Sequence, residues 1–185
     1  MKALLIIDYI HDFVAPDGAL TCGEPAQLLD DYIATLAGEF AKAGDYIVVA
    51  RDMHAADDAY HPESTLFPPH CLAGSKGVDV YGNSGTWLTH ASQDKALSRN
   101  ILWLDKTRYS AFAGTMLDIK LRERGITELH LTGVCSDICV LHTAISAYNL
   151  GYKTVVHSRG TASFDAEGHA YALRHMANVL GAQIV

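Results

Sequence analysis

Residues 129–140 read LHLTGVCSDICV, and this stretch decides the fold. It begins as an apolar run, breaks at Gly133, and resumes as a helical pattern from Ile138 to Tyr148, which predicts a buried strand feeding a tight turn into a helix. Cys139 falls in the first turn of that helix, where unpaired backbone N–H groups favour a negative charge. The pattern therefore predicts a nucleophilic thiol with a lowered pKa, although a small buried core cysteine would read the same way.

The composition predicts one compact domain over residues 1–185, because 49% of the 185 residues are hydrophobic and no low-complexity tract interrupts them. The formal net charge of −7 argues against nucleic acid or an anionic membrane as a partner. No apolar run approaches the length of a membrane span, and the chain opens with a strand pattern rather than a secretory signal. The four cysteines are irregularly spaced, so we expect reduced thiols and a cytoplasmic setting.

Short apolar segments alternate with helical patterns along the chain. Strands are predicted at residues 3–8, 46–51, 101–106, the beginning of 129–140, 152–156 and 182–185. Helices are predicted at residues 25–43, near 92–97, at 115–124, at 138–149 and at 166–180. This alternation indicates an α/β fold of three α-β-α layers, with a doubly wound and mainly parallel sheet. No glycine-rich phosphate-binding motif follows any strand, so a nucleotide site has no support.

Three chemically useful side chains follow three different strands. Asp8 and Lys106 close the first and third strands, and Cys139 lies on the turn after the fourth. Because the carboxyl ends of parallel strands share one edge of a sheet, we expect these groups to converge there. A thiol, a carboxylate and an ammonium group form a sensible set for nucleophilic catalysis. Taken singly, Asp8 could cap a turn and Lys106 could be a surface cation.

A second polar group follows the second strand. Asp52 and His54 lie two residues apart on an extended segment, so their side chains point to the same side and can converge on one ion. Glu63 and His70 follow in the same long loop, with His61 as an alternative to Glu63. Such ligands suit zinc, iron or manganese, but a solvated acidic loop with incidental histidines remains the alternative.

The chain carries several motifs in order along its length. These are Ile7-Asp8 with Asp12-Phe13, Asp52-Met53-His54, Phe67-Pro68-Pro69-His70-Cys71, Lys106 with Tyr109-Ser110-Ala111-Phe112, and the segment Gly133 to Val140. Together they resemble the isochorismatase-like cysteine hydrolase superfamily, and within it the nicotinamidases most closely. The resemblance covers nearly the whole chain.

The resemblance implies a six-stranded parallel sheet in the order 3-2-1-4-5-6 and hydrolysis of nicotinamide to nicotinate and ammonia, a step of NAD salvage. Cys139 would form a thioester, Asp8 would carry the thiol proton to the leaving ammonia, and Lys106 would stabilise the charges. A cis peptide bond between Val134 and Cys135 would aim the backbone N–H groups of Val134, Cys135 and Cys139 at the oxyanion.

The resemblance also implies one divalent cation, with zinc as the first candidate and iron or manganese as alternatives. Its shared ligands would be Asp52, His54 and His70. Many members have a further histidine six residues after the first, but Tyr60 occupies that position here. The surrounding sequence resembles the branch that uses a glutamate, so Glu63 is preferred to His61 as the remaining ligand.

Three aromatic side chains, Phe13, Phe67 and Tyr109, would wall the pocket for the substrate ring, with ordinary aromatic packing as the alternative. The resemblance further implies a homo-oligomer. Cys135 stands where many relatives carry alanine, which adds a second thiol near the nucleophile.

Other functions make different demands on the same residues. The nearest alternative is another small-amide cysteine hydrolase of the same superfamily, but such relatives often lack the metal-ligand set. Isochorismatases proper cleave a vinyl ether and would not need the cysteine. A non-enzymatic domain with the same fold should have lost one of Asp8, Lys106 and Cys139, and this chain has all three.

Overall fold

Six parallel strands form one sheet in the order β3-β2-β1-β4-β5-β6 in the computed structural model, which describes residues 1–185. The strands are β1 (Lys2–Ile7), β2 (Tyr46–Asp52), β3 (Ile101–Lys106), β4 (Glu128–Val134), β5 (Lys153–Ala162) and β6 (Gln183–Ile184). The α/β class and the strand order are therefore as predicted. The centre of the sheet is β1, which pairs with β2 on one side and β4 on the other.

Seven α-helices surround the sheet. They are α1 (His11–Val14), α2 (Glu24–Gln27), α3 (Asp30–Ala43), α4 (Gly82–Gln93), α5 (Leu117–Arg122), α6 (Leu141–Asn149) and α7 (Ala166–Asn178). A π-helical turn, Ser136–Val140, leads into α6. No helix is both long and apolar enough to cross a membrane.

Both faces of the sheet are buried, which explains the continuous apolar strands. Along β1, Leu5 and Ile7 belong to a core shared with α5, α6 and α7, whereas Leu4 and Ile6 belong to a core shared with α3 and α4. Successive side chains of a strand point to opposite faces, so a strand covered on both sides needs apolar residues at every position.

The helix predicted over residues 25–43 is divided. The structure has α2 and α3 with Leu28 and Leu29 between them, where the Leu29 N–H donates to the Ala26 carbonyl three residues earlier. The chain is thus tightened to the 3₁₀ type for one turn between the two helices. The apolar residues keep a helical spacing across this turn, so the sequence pattern is that of one continuous helix.

The short helix predicted near residues 92–97 is wrong, since the structure has the three-turn helix α4, which begins at Gly82 and ends at Gln93. The start of α4 is capped by a distant residue, because the Asp30 carboxylate accepts hydrogen bonds from the backbone N–H groups of Asn83 (2.6 Å) and Ser84 (2.9 Å). A side chain at Gly82 would overlap that carboxylate. Gly82 disfavours a helix in the sequence pattern, yet it is required by this contact with Asp30 of α3. The local sequence does not reveal that contact.

Strand β5 is longer than the predicted 152–156. It extends to Ala162 because the ladder with β4 resumes after an irregularity, with Leu131 opposite Val156 but Gly133 opposite Thr161. This irregularity lets β5 reach the edge of the sheet where Cys139 lies.

Candidate active site

The carboxyl edge of the sheet gathers the three predicted catalytic residues. The register places Asp52 opposite Lys106 and Ile7 opposite Gly133, so the ends of β1 to β4 lie side by side. Asp8 follows β1 with a positive φ of 53°, and its Oδ1 accepts a 2.7 Å hydrogen bond from the Asp52 N–H. That bond fixes the carboxylate at the edge.

Asp8, Lys106 and Cys139 form a buried charged cluster. Lys106 Nζ lies 2.7 Å from Asp8 Oδ2, 3.5 Å from Asp52 Oδ1 and 4.0 Å from Cys139 Sγ. It also donates a 3.0 Å hydrogen bond to the Arg108 carbonyl. No member of the cluster is more than 6% exposed, so water does little to screen these interactions.

Burial and charge act against each other on this cluster. Burial raises the pKa of Asp8 to about 6, although Lys106 opposes the shift. Burial alone would lower the pKa of Lys106, but the neighbouring charges of Asp8, Cys139 and Asp52 outweigh it and raise the pKa, so the ammonium stays charged. An ionised Asp8 beside a charged Lys106 is therefore the resting state near neutral pH.

The predicted lowering of the thiol pKa is wrong. Burial raises the pKa of Cys139 well above its usual value, with Lys106 opposing it and Asp8 adding to it. Cys139 lies in the turn that leads into α6, but it is buried there. Desolvation of the thiolate therefore outweighs the stabilising effect of the helix start on the thiol pKa. A protonated thiol next to an ionised carboxylate needs that carboxylate as a base.

The turn that carries the cysteine is held by close packing. Gly133 has a φ of 107°, and any side chain there would overlap the Ile7 carbonyl of β1. The peptide bond between Val134 and Cys135 is cis, as predicted. Ser136 Oγ lies 2.9 Å from Nδ1 of His169 on α7, which ties the turn to that helix. His169 gave no signal in the sequence, since its partner is 33 residues away.

The second thiol near the nucleophile has a partner of its own. Cys135 Sγ lies 2.8 Å from Cys22 Sγ, a residue of the loop between α1 and α2. All four cysteines are free.

The predicted metal ligands also lie together. His54 Nε2 is 2.9 Å from Asp52 Oδ2, His70 Nε2 is 3.4 Å from Glu63 Oε2, and the His54 and His70 rings are 4.7 Å apart. All four residues are at least nine-tenths buried. We call Asp52, His54, Glu63 and His70 the polar quartet.

The chemistry of the polar quartet fits a divalent cation. The Nε2 atoms of His54 and His70 are buried and make no hydrogen bond. His70 Nδ1 lies 2.8 Å from the Pro68 carbonyl and so carries the ring proton, which leaves Nε2 with its lone pair free to bind a metal. Buried unpaired nitrogens facing carboxylates are costly unless an ion joins them.

His61 is bound differently from the quartet. Its Nε2 lies 2.8 Å from the Thr107 carbonyl, and its Nδ1 accepts a 3.2 Å hydrogen bond from the Glu63 N–H. Both ring nitrogens are engaged, whereas the Glu63 carboxylate faces His70. His61 nevertheless lies close to His54 and Glu63, since one possible ligand atom of each is within 4.8 Å of the others. The choice of Glu63 over His61 as a ligand therefore stays a prediction.

A cavity of about 420 Å³, here called the apolar cavity, reaches both the charged cluster and the polar quartet. Cys139 lines it together with Asp52 and Glu63 of the quartet. Val134 and Cys135 line it as well. The three predicted pocket residues, Phe13, Phe67 and Tyr109, all line its wall.

Six further lining residues were missed by the sequence argument, and the large apolar ones among them are Leu20, Ile138 and Phe164. Phe164 follows β5 by two residues and so lies at the same edge of the sheet as Asp8. The predicted end of β5 at residue 156 concealed that position, and a correct strand end would have revealed it.

Comparison with known proteins agrees with this fold. The model of the isochorismatase domain family matches residues 2–184. The crystal structure of nicotinamidase/pyrazinamidase PncA from Bacillus subtilis shares 52% identity with this chain at a TM-score of 0.95, covering 100% of both chains. The pyrazinamidase/nicotinamidase of Streptococcus mutans shares 49% identity at the same TM-score and coverage.

A more distant relative was crystallised with a metal. The structure of the Pyrococcus horikoshii pyrazinamidase in complex with zinc is 25% identical at a TM-score of 0.84, covering 100% of this chain and 98% of that one. The family match spans nearly the whole sequence, and the structural likeness extends over all of it. The chain belongs to the isochorismatase domain family.

Proposed function

We propose that this protein is a nicotinamidase, which hydrolyses nicotinamide to nicotinate and ammonia through a thioester on Cys139. One observation carries the proposal: the apolar cavity is lined both by the buried thiol of Cys139 and by two members of the polar quartet, Asp52 and Glu63. An amide on an aromatic ring can then present its carbonyl to the thiol and its ring nitrogen to the quartet. The similarity to the nicotinamidase/pyrazinamidases of Bacillus subtilis and Streptococcus mutans supports this choice of substrate.

In the first half of the reaction, Asp8 accepts the proton of the Cys139 thiol as sulfur attacks the amide carbon. Lys106, within 4.0 Å of both groups, stabilises the negative charge as it moves from carboxylate to sulfur. Backbone N–H groups of Val134, Cys135 and Cys139 are the proposed donors to the oxyanion. The carbon–nitrogen bond then breaks, the Asp8 proton passes to the nitrogen, and ammonia leaves.

In the second half, water attacks the thioester carbon while Asp8 accepts a proton from it. The carbon–sulfur bond breaks, the proton returns to the sulfur, and nicotinic acid leaves and ionises to nicotinate. Every proton taken up by Asp8 is given back within one turnover, so the free enzyme is regenerated.

The polar quartet would hold one divalent cation, with zinc as the first candidate. When bound, the ion would coordinate the pyridine nitrogen and so orient the ring. Burial raises the pKa of a carboxyl group, yet the pKa of Asp52 is lowered by its contacts with His54 and Lys106, so it stays ionised as a ligand must. Phe13, Phe67 and Tyr109 would enclose the ring.

The product fits a role in NAD salvage, in the cytoplasm. The four free cysteines agree with that reducing compartment. Assembly as a homo-oligomer stays a prediction from family resemblance.

The test is ammonia release from nicotinamide by the purified protein, measured before and after chelation and after metal is restored. Benzamide is the matched control, since it lacks only the ring nitrogen. We expect metal-dependent release from nicotinamide and much slower release from benzamide. Equal rates on the two amides would remove the proposed role of the metal, and no release from either would favour another small-amide hydrolase.

The metal ligands are tested separately by elemental analysis. Glu63→Ala should lower the metal content of the purified protein, because it removes a carboxylate facing His70. His61→Ala is the matched control, and its metal content should stay near wild type. The opposite pair of results would identify His61 as the ligand.

A further inference from the structure

The polar quartet lies between two cavities. The apolar cavity has Asp52 and Glu63 on its wall, and a second cavity of about 280 Å³ has His54, Glu63 and His70 on its wall. We call the second one the loop cavity, because residues 54–72 alone form it. Glu63 and Phe67 line both, so they separate the two spaces.

The two cavities differ in chemistry. Ten of the 14 residues around the apolar cavity are hydrophobic, but only five of the 14 around the loop cavity are. A divalent cation binds water strongly, so passage through an apolar channel would strip its hydration shell at a large free-energy cost. An aromatic amide has the opposite preference.

The mouth of the loop cavity carries negative charge. Asp57 and Asp58 line it, and both are exposed. Acidic residues around a cleft raise the local concentration of cations and their rate of association. His54 and His70 line the same cavity, are 92% and 97% buried, and have Nε2 atoms that make no hydrogen bond. The loop cavity is therefore lined both by exposed carboxylates that attract cations and by buried histidines that lack a hydrogen-bond partner at Nε2.

The loop cavity is also large enough for a hydrated ion. Six water molecules at about 30 Å³ each occupy roughly 180 Å³, which is less than the space available. The ion could therefore keep much of its first shell until it reaches the histidines.

We propose that the divalent cation enters and leaves through the loop cavity, drawn in by Asp57 and Asp58, while the amide substrate enters through the apolar cavity. This route rests on the metal site of the proposed function. It makes metal exchange and substrate access separable, because each has its own opening.

The first test narrows each opening in turn. Ala56 and Ala19 are exposed residues that line the loop cavity and the apolar cavity respectively. The rates of zinc uptake by metal-free protein and of zinc release to the chromogenic chelator 4-(2-pyridylazo)resorcinol are measured for Ala56→Trp and Ala19→Trp. Ala56→Trp should slow uptake and release by the same factor, at least about threefold, and so leave the equilibrium affinity unchanged. Ala19→Trp should raise KM for nicotinamide and leave both zinc rates at the wild-type value.

The second test removes charge. Asp57→Asn/Asp58→Asn should slow zinc uptake by about threefold to tenfold at low ionic strength, and the difference should shrink in high salt. Asparagine at position 58 retains an oxygen that can accept the Tyr60 N–H, so the turn is preserved. The matched control, Glu39→Gln/Glu167→Gln, removes two exposed charges elsewhere and should leave uptake near wild type.

The outcomes separate this route from the proposed function. Slower zinc exchange in Ala19→Trp with normal exchange in Ala56→Trp would overturn the route while leaving the metal site in place. Equal slowing by the two charge-removal pairs would show that only net charge matters, and would overturn the role of Asp57 and Asp58. Absence of stoichiometric zinc binding in the wild-type protein would instead remove the metal site itself, and the route with it.

Discussion

Two buried polar clusters in this protein differ in ionisation: one keeps charged groups despite burial, and the other contains neutral histidines. The charged cluster of Asp8, Lys106 and Cys139 lies at the carboxyl edge of the sheet. A second cluster, here called the histidine cluster, lies between α3 and the strands β4 and β5. In it, His157 Nδ1 is 2.8 Å from the Tyr32 hydroxyl and His157 Nε2 is 2.8 Å from His130 Nδ1.

In the histidine cluster, burial produces neutral groups. It lowers the pKa of His157 to about 4, helped by His130 and Lys2, and it also lowers the pKa of His130. Glu128 accepts a 3.1 Å hydrogen bond from His130 Nε2 at the solvent-facing end. The two imidazole rings are satisfied by hydrogen bonds in their neutral forms, so neither needs a charge.

In the charged cluster, burial is opposed by pairing. Lys106 stays charged because Asp8 and Asp52 lie within 3.5 Å of its Nζ. The comparison teaches that burial always disfavours the charged form of a group and that the nearest opposite charge decides whether ionisation survives. The proposed role of Asp8 requires the second arrangement, since a carboxyl group must be ionised to take a proton.

The largest expected effect is loss of the nucleophile from the charged cluster. Cys139→Ala should lower kcat by at least about 10⁴-fold, because no other group can form the thioester. The fold and the metal content should be unchanged, as checked by circular dichroism and elemental analysis. Cys22→Ala is the matched control, since Cys22 is also a buried cysteine but its thiol lies against the Cys135 thiol, and its turnover should stay near wild type. Turnover of Cys139→Ala near the wild-type rate would eliminate the mechanism.

A large effect on stability is expected from removing the charge at position 106. Lys106→Met leaves Asp8 and Asp52 buried without their cation, so the free energy of unfolding should fall by about 3–5 kcal/mol in urea denaturation. The double variant Asp8→Asn/Lys106→Met should recover part of that loss while remaining inactive. If the double variant is as unstable as the single one, lost packing rather than lost pairing explains the effect.

The pH dependence of turnover should reflect the protonation of Asp8 in the charged cluster. Because burial raises the pKa of Asp8 to about 6, the carboxylate is protonated below that pH and can no longer accept the thiol proton. We expect kcat/KM to fall by about tenfold per pH unit below this value. His157→Gln, which alters only the histidine cluster, should show the same acidic limb. A shift of this acidic decline in kcat/KM to another pH in His157→Gln would contradict its assignment to the protonation of Asp8.

The smallest effect is expected from the histidine cluster, as a change in stability with pH. The folded-state pKa of His157 is about 4, below its usual 6.5, so the unfolded chain binds more protons between these values. The free energy of unfolding contributed by His157 is therefore complete above pH 6.5 and declines as the pH falls towards 4. After allowance for solvent screening, we expect this contribution to be about 1–2 kcal/mol.

The measurement is the difference in unfolding free energy between pH 7 and pH 4.5 for wild type and His157→Gln. The variant should lose less stability on acidification. His90→Gln, at an exposed position, is the control and should behave as wild type. Asp8 acts in the opposite direction over part of this window, because its raised pKa lets the folded state bind the extra proton, so only the difference between variants is diagnostic.

Much of the site follows from the order of residues along the chain. Asp8 and Lys106 were predicted at the sheet edge because each ends an apolar run, and in a parallel sheet such ends converge. The metal-ligand set was predicted partly from spacing and partly from family resemblance. The structure brings its members together, while their roles stay predictions to be tested.

Other features could not be inferred from local sequence. The helix α4 was missed because its cap is supplied by Asp30 from another helix. Phe164 was missed because β5 continues past an irregularity in its pairing with β4. Each depends on a neighbour far away in the chain, and local patterns carry no information about such neighbours.

The sequence by itself determined the alternation of strands and helices, the buried character of the sheet, and the residue types available for chemistry. These follow from hydrophobic periodicity, which is a local property. Only the tertiary structure decided the protonation states, since the Cys139 thiol is buried beside Asp8 and Lys106 and its pKa is raised instead of lowered. Ionisation depends on desolvation and on charges within a few ångströms, and both are fixed only when distant segments meet.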